Sequence, residues 1–122
     1  MPGFEDLEVW RKSVDLSAAV YQALRDCRDF TFKDQICRSA LSMPSNIAEG
    51  MERESVADQA RFLDYARGSS GEFRTQAIVG QKAFLLAPEL AEVWIQESRR
   101  ISAMIQGLIR SLGPRRPPKT AN

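Results

Sequence analysis

The chain has 122 residues, of which 43% are hydrophobic and 27% are charged, and its formal net charge is +1. This length and composition predict one folded domain and argue against a disordered chain. The sequence contains no histidine. That absence excludes Ser-His and Cys-His nucleophile pairs, histidine general bases and most zinc and iron sites. We therefore expect a protein that is not an enzyme and that holds no metal or other cofactor.

The N-terminus and the cysteines indicate the compartment. The first ten residues, MPGFEDLEVW, carry acids where a signal peptide has basic and apolar stretches, and no segment approaches the ~20 continuous apolar residues of a membrane span. We expect a cytoplasmic protein without a membrane segment. Cys27 and Cys37 suit buried apolar positions in a reducing compartment. Their symmetric spacing about Phe32 leaves a disulfide as the alternative.

The first predicted helix begins near the N-terminus, with Asp6 as the expected N-cap. Its apolar seam recurs at steps of three and four residues, which is typical of one helix face. The seam comprises Leu7, Trp10, Val14, Ser17, Tyr21 and Leu24. A hairpin over residues 27–32 is expected to end this helix.

The second helix is predicted to begin at a capping box formed by Thr31 and Asp34. Its core residues are expected to be Ile36, Cys37, Ala40, Leu41 and Ile47. Pro44 lies within this pattern, where a proline lacks one backbone donor and clashes with the preceding turn. We expect a kink near Pro44 or, alternatively, a break into two short helices. Gly50 fits the C-terminal end.

Another capping box, formed by Ser55 and Asp58, opens a long third helix. Its seam comprises Leu63, Ala66, Ser70, Phe73, Ala77, Gly80 and Phe84. Gly68, Gly71 and Gly80 each cost this helix roughly 1 kcal/mol relative to alanine. We expect close packing of a neighbouring helix to offset that cost.

Pro88 suits the first turn of a fourth helix, which Gly113 and Pro114 are expected to end. Its seam comprises Leu90, Trp94, Ile101, Ile105, Leu108 and Leu112. Four amphipathic helices with short connections predict an all-α, up-down-up-down antiparallel four-helix bundle over residues 1–113. Residues 114–122 are basic and proline-rich, so we expect a flexible tail there.

The first and fourth helices carry more apolar surface than one bundle core requires. The additional residues are Val9, Leu16, Val20, Val93, Ile95, Met104 and Ile109. A subunit interface of a homo-oligomer would explain them, because large apolar patches are rarely left in water. Deeper burial within one bundle is the alternative. Glu97 lies within the same apolar arc, and we expect either Arg67 or Arg74 to neutralise it unless it bends out to solvent.

The most specific motif covers residues 34–50, DQICRSALSMPSNIAEG. It resembles the D-Q-h-x-R-A-A-x-S-I-P-S-N-I-A-E-G signature of the bacterial four helix bundle protein family, which includes proteins encoded within intervening sequences of 23S rRNA genes. FEDLEVW at residues 4–10 and FLDYARGS at residues 62–69 are similar to two further segments of that family. The matching motif residues are Asp34, Gln35, Arg38, Ser42, Pro44, Ser45, Asn46, Ile47, Ala48, Glu49, Gly50, Arg67, Gly68 and Ser69.

The resemblance implies a four-helix protomer that assembles into a ring, typically a pentamer. It implies no enzymatic activity, although the family's accessory protein of diversity-generating retroelements binds a reverse transcriptase and nucleic acid. We expect structural roles for the motif, with ligand binding as the alternative. Ser42, Ser45 and Asn46 would hydrogen-bond backbone groups that the proline frees. Arg38 and Glu49 would pair with charges on adjacent helices.

Nucleic-acid binding requires a pronounced basic surface. Residues 114–122 hold three basic side chains and no acid, whereas residues 1–113 carry a net charge of −2. The candidate contacts are Arg61, Arg67, Arg74, Lys82, Arg115, Arg116 and Lys119. Asp58, Asp64 and Glu72 lie on the same helix as four of them and weaken this basic surface. We therefore expect an oligomeric scaffold that binds a protein, RNA or DNA partner, with a nucleic-acid-binding accessory factor as the alternative.

Overall fold

The computed structural model describes residues 3–114, which form four α-helices and one short 3₁₀ turn and contain no strand. The 3₁₀ turn spans Phe4–Asp6, and the helices are α1 (Glu8–Ala23), α2 (Phe30–Met51), α3 (Val56–Lys82) and α4 (Pro88–Ser111). The all-helical class and the number of helices predicted from the sequence are therefore confirmed. The expected tail, with Arg115, Arg116 and Lys119, lies outside the described residues.

The start of α1 differs from the prediction. Leu7 precedes the helix and makes no side-chain cap. Asp6 instead ends the 3₁₀ turn, and its carboxylate lies 3.3 Å from the guanidinium of Arg11. The ring of Phe4 packs on that of Trp10, with the ring centroids 5.3 Å apart, so apolar contact fixes the approach of the chain to α1.

The α2 helix begins earlier than expected, because Asp29 is the residue that caps it. The Asp29 carboxylate accepts a hydrogen bond from the backbone N–H of Phe32 at 3.0 Å, which satisfies one of the free donors at a helix N-terminus. The capping box predicted at Thr31 is wrong. The helix continues through Pro44, so the alternative of two short helices is also wrong, and the kink stays a prediction.

Gly50 lies inside α2 and does not end it. A Cβ atom at this position would meet the backbone oxygen of Gln59 at 3.1 Å and the Cβ atom of Phe62 at 3.2 Å. The missing side chain therefore lets α2 and α3 approach closely. Ser39 of α2 also contacts Gln76 of α3, so the two helices touch at two separate points.

The α3 helix begins as predicted, since the Ser55 hydroxyl accepts a hydrogen bond from the backbone N–H of Asp58 at 3.1 Å. Six residues of its predicted seam are buried, namely Leu63, Ala66, Ser70, Phe73, Ala77 and Gly80. Phe84 is the exception and lies beyond the helix. Of the three glycines, only Gly80 has close neighbours, the side chains of Phe32 and Leu86, whereas a Cβ at Gly68 or Gly71 would have no neighbour within 4 Å.

The α1 helix is rotated relative to the prediction. Val14 is half-buried and Tyr21 is exposed, whereas the core receives Val9, Leu16 and Val20. Because α1 packs against both α2 and α4, the arc that it buries is wider than one seam.

This rotation corrects the predicted subunit interface. Val9, Leu16 and Val20, together with Ile95 of α4, are buried in the core of a single chain. The expectation that these four lie between subunits is wrong, and deeper burial accounts for them. The other three predicted interface residues are Met104 and Ile109, which are half-buried, and Val93, which is 61% exposed.

Candidate interaction surface

The part of the chain that the structure describes contains neither a candidate metal site nor a helix that could cross a membrane. Residues 3–114 contain no group of three or more Cys, Asp or Glu side chains that could hold a metal ion. None of the four helices is long and apolar enough to cross a membrane.

Cys27 and Cys37 are both free thiols. Burial is the main cause that raises the pKa of the Cys37 thiol, as expected for a thiol in an apolar position.

Hydrogen bonds join the family motif on α2 to α3. The hydroxyl groups of Ser42 and Ser69 lie 2.7 Å apart. The Asn46 amide donates to the Ser42 hydroxyl at 2.9 Å and to the Ser42 backbone oxygen at 3.0 Å. Ser39 donates to the Gln76 side chain at 2.5 Å. These polar side chains therefore fix the register of α2 against α3.

The remaining motif residues have simpler environments. Asp34, Gln35, Arg38, Ser45, Glu49, Arg67 and Gly68 are exposed, Ala48 is half-buried, and Pro44 and Ile47 are buried. Arg38 pairs with Asp34 at 3.0 Å within α2, and Glu49 pairs with Arg53, which lies just beyond the end of α2. The predicted pairing of Arg38 and Glu49 with adjacent helices is therefore wrong. Of the three polar side chains expected to bond backbone near Pro44, Asn46 is the one that does so.

An exposed apolar groove runs along the outer side of α1 and α2. We call it the α1–α2 groove and define it by Val14, Ala18, Tyr21, Phe30 and Leu41. One part, of about 590 Å³, has the apolar surfaces of Tyr21 and Phe30 beside polar and charged side chains, namely Thr31, Lys33, Asp34, Gln35 and Arg38. A second, more apolar part, of about 460 Å³, shares Tyr21 and includes Val14, Ala18 and Leu41. Tyr21 is 46% exposed, Leu41 50% and Phe30 72%. Tyr21 lines both parts, so they adjoin at this side chain.

The apolar spacing of the sequence does not predict this groove. Val14, Tyr21 and Leu41 were placed in the core, because spacing of three and four residues fits two seams of α1 equally well. Helical periodicity identifies an apolar face but not the neighbour that covers it. No signal in the sequence alone distinguishes the two seams.

The predicted nucleic-acid contacts on α3 are largely neutralised. Arg61 pairs with Asp58 at 3.1 Å, and Arg67 pairs with Asp64 at 3.3 Å and also donates to Gln106 of α4. Lys82 is exposed in the last turn of α3. The structure therefore does not gather these side chains into one unpaired basic surface.

Arg74 has a different environment, between α3 and α4. Its Nε atom donates to the Ser98 hydroxyl and its Nη2 atom donates to the Ser102 hydroxyl, both at 3.1 Å. The side chain is half-buried, and among residues 3–114 no carboxylate lies within ion-pair distance of it. The predicted pairing of Glu97 with Arg67 or Arg74 is wrong, because Glu97 pairs with Lys12 of α1 at 3.4 Å and with Arg100 of its own helix at 3.2 Å.

These features define an all-helical four-helix protein with an exposed apolar groove. The sequence model of the family described as 23S rRNA-intervening sequence protein matches residues 5–107. The chain belongs to this family, which confirms the resemblance of its motifs.

Comparison with solved structures supports the fold. The chain is similar to the crystal structure of a protein of unknown function from the S23 ribosomal protein family of Bacteroides thetaiotaomicron. The two share 22% sequence identity, and the alignment covers 84% of this chain and 98% of the other with a TM-score of 0.79. No curated protein matches the chain.

Proposed function

We propose that this chain is a non-enzymatic scaffold of the cytoplasm that self-associates through the α1–α2 groove. The observation that supports the proposal is the exposure of Tyr21, Phe30 and Leu41 along two depressions that adjoin at Tyr21. Fully burying a large apolar side chain stabilises by about 1.5–3 kcal/mol. Because three such residues are each about half or more exposed, burying them between subunits would give association a substantial gain in free energy.

The proposed assembly uses the bundle as a rigid unit. Its protomer has the up-down-up-down antiparallel topology, and the family resemblance implies a ring of five copies. The assembled surface would then be presented to a protein or nucleic-acid partner. A scaffold of this kind needs no catalytic group, which agrees with the absence of histidine from the sequence.

A matched pair of substitutions tests the proposed surface. Leu41→Glu places a charge in the α1–α2 groove, and Val93→Glu places one on α4, at a residue that is also more than half exposed. Light scattering after size-exclusion chromatography measures the mass of the full chain and of both variants at tens of micromolar. We expect an oligomer for the wild type and Val93→Glu and a monomer for Leu41→Glu.

Two results would contradict the proposal, and they have different meanings. A monomeric wild-type chain would contradict self-association altogether. An oligomer that survives Leu41→Glu and dissociates with Val93→Glu would move the interface to α4. Circular dichroism of both variants verifies that the helices are intact.

Arg74 supports a second candidate, a nucleic-acid-binding accessory factor. A half-buried guanidinium that touches only serine hydroxyls attracts an anion such as a phosphate, because it has no carboxylate counter-ion among the described residues. In an assembly the group would be repeated in every copy.

Fluorescence anisotropy with a structured RNA and with duplex DNA tests this second candidate. Binding is expected to weaken steeply with salt and to fall with Arg74→Gln. Arg61→Gln is the matched control, because Arg61 is already paired with Asp58. Absence of binding to both nucleic acids at low salt would exclude the candidate.

A further inference from the structure

A network of hydrogen bonds between α3 and α4 holds the guanidinium of Arg74 in one position. Its Nε atom donates to the Ser98 hydroxyl and its Nη2 atom donates to the Ser102 hydroxyl, both at 3.1 Å. Ser98 donates its own proton to the backbone oxygen of Ile95 at 2.8 Å, and Ser102 donates to the Ser70 hydroxyl at the same distance. Because a hydroxyl has one proton, both serines act toward Arg74 only as acceptors.

The inner part of this network is dry. Ser70 donates to the backbone oxygen of Ser98 at 2.8 Å, and both of these side chains are fully buried. Charges interact more strongly in such surroundings than in water. A guanidinium carries five N–H donors, and the two serines use two of them. The other three belong to the Nη1 and Nη2 atoms of Arg74 and are available to a ligand.

Arg74 lacks the counter-ion that other arginines of α3 have. Arg67 pairs with Asp64, three residues earlier on the helix, at 3.3 Å, and Arg61 is paired in the same way. The residue three positions before Arg74 is Gly71. A Cβ atom there would have no neighbour within 4 Å, so packing does not require glycine, which is costly inside a helix. Open space therefore lies where the pattern of α3 would put a carboxylate.

A second cation lies close by on α4. Arg99 precedes Ser102 by three residues, so the two are neighbours on the helix surface, and Ser102 is one of the serines that bind Arg74. Arg99 is exposed, and no carboxylate within residues 3–114 is at ion-pair distance from it. Two guanidiniums without a carboxylate partner are thus found on the same side of the α3–α4 pair.

We propose that this surface binds one small oxyanion of the phosphate monoester class. Its oxygens accept from the free N–H groups of Arg74, as in the charge-assisted contacts that arginine makes with phosphate, and Arg99 balances the second negative charge. A small ligand fits better than a polymer, because Arg61 and Arg67 are already neutralised and nucleic acids require several basic contacts. The site lies within one chain, so this inference is independent of the proposed self-association.

Inorganic phosphate is the probe that tests the site. Side-chain ¹H–¹⁵N spectra of the full chain follow the Nε–H groups of the arginines, and the resonance of Arg74 is the one that disappears in Arg74→Gln. We expect phosphate to shift this resonance saturably at neutral pH. Sodium chloride of the same ionic strength is expected to leave it in place. An equal response to chloride would contradict an oxyanion site.

Gly71→Asp and Gly68→Asp form a matched pair of variants, because both glycines are helical and open. Gly71→Asp places a carboxylate three residues before Arg74, in the relation that Asp64 has to Arg67. Residue 68 is six positions before Arg74 and lies on another face of the helix. We expect Gly71→Asp to weaken phosphate binding by about ten-fold or more, the size of one hydrogen bond to a charged group, and Gly68→Asp to leave it nearly unchanged.

Arg74→Gln is expected to abolish phosphate binding, which isothermal titration calorimetry measures. Arg61→Gln is the control for the loss of one positive charge and is expected to bind phosphate as the wild type does. Circular dichroism verifies that each variant is folded. If Arg74→Gln does not fold, Gly71→Asp decides the question, because it leaves the serine network intact.

The outcomes separate this inference from the proposed functions. Absence of saturable phosphate binding, or binding that survives both Gly71→Asp and Arg74→Gln, overturns the inference. Binding of RNA or DNA that requires Arg74, without any response to free phosphate, also overturns it and favours the nucleic-acid-binding accessory factor. A wild-type chain that is monomeric and binds phosphate contradicts the proposed self-association alone.

Discussion

The hydroxyl groups of Ser42 and Ser69 lie 2.7 Å apart and join the two most specific motifs of the chain. Ser69 also donates to the backbone oxygen of Tyr65 at 3.0 Å. A hydroxyl has one proton, so Ser42 donates to Ser69 while it accepts from Asn46. The result is a directed chain of hydrogen bonds from Asn46 through Ser42 and Ser69 to the α3 backbone. The motif thus acts between the helices and not only along α2.

We predict that Ser42→Ala destabilises the chain by about 1–2 kcal/mol, because it leaves the Asn46 amide and the Ser69 hydroxyl without their shared partner. Urea denaturation of Ser42→Ala, Ser69→Ala and the double variant measures the coupling. Residues in one hydrogen-bond network show coupling of about 0.5 kcal/mol or more. Strictly additive effects would contradict the directed chain.

Opposite effects are predicted for two glycines. Gly50→Ala should destabilise the chain by about 1–3 kcal/mol, because the new methyl group meets the α3 backbone and overpacks the contact. Gly68→Ala should stabilise it by about 1 kcal/mol, because that position is helical and open. The difference in unfolding free energy between the two variants is the measured quantity. Equal effects would mean that α2 and α3 do not approach closely at Gly50.

The ion pair between Lys12 and Glu97 joins α1 to α4 and is partly buried. A double-mutant cycle with Lys12→Met and Glu97→Gln is expected to give a coupling of about 0.5–1 kcal/mol. The coupling should decrease as salt is added, because screening acts on partly exposed charges. A coupling that is independent of salt would indicate that the contribution of these residues is packing and not charge.

Cys37 is predicted to make stability sensitive to alkaline pH. Burial raises the pKa of its thiol in the folded chain, so the folded state prefers the protonated form. The contribution is fully present below the pKa of the unfolded thiol, about 8.5, and is lost as the pH rises through the higher folded value. Denaturation curves between neutral and alkaline pH should show a smaller loss of stability for Cys37→Ala than for the wild type. Equal losses would contradict the raised pKa.

The sequence alone determined the local structure and the family. The helices follow from the apolar spacing, and the predicted positions of the Ser55 cap and of Pro88 in the first turn of α4 are confirmed. The motif at residues 34–50 identifies the family because its residues occur in an unusual order. These features depend on neighbours along the chain. The sequence predicts the ends of helices less well. Asp29 and Leu7 occupy the N-cap positions of α2 and α1, which several nearby polar residues could have filled.

The tertiary structure decided which apolar face is covered. Val20 lies in the core and Tyr21 lies in an exposed groove, although both fit a helical seam, because the choice depends on how α2 and α4 pack around α1. The sequence likewise does not predict that Phe84 is exposed, because its spacing matches the α3 seam. The helix ends at Lys82, and the hydrogen bonds to Gly80 and Gln81 turn the backbone outward. Periodicity counts residues within one helix, whereas burial is set by the other helices that surround it.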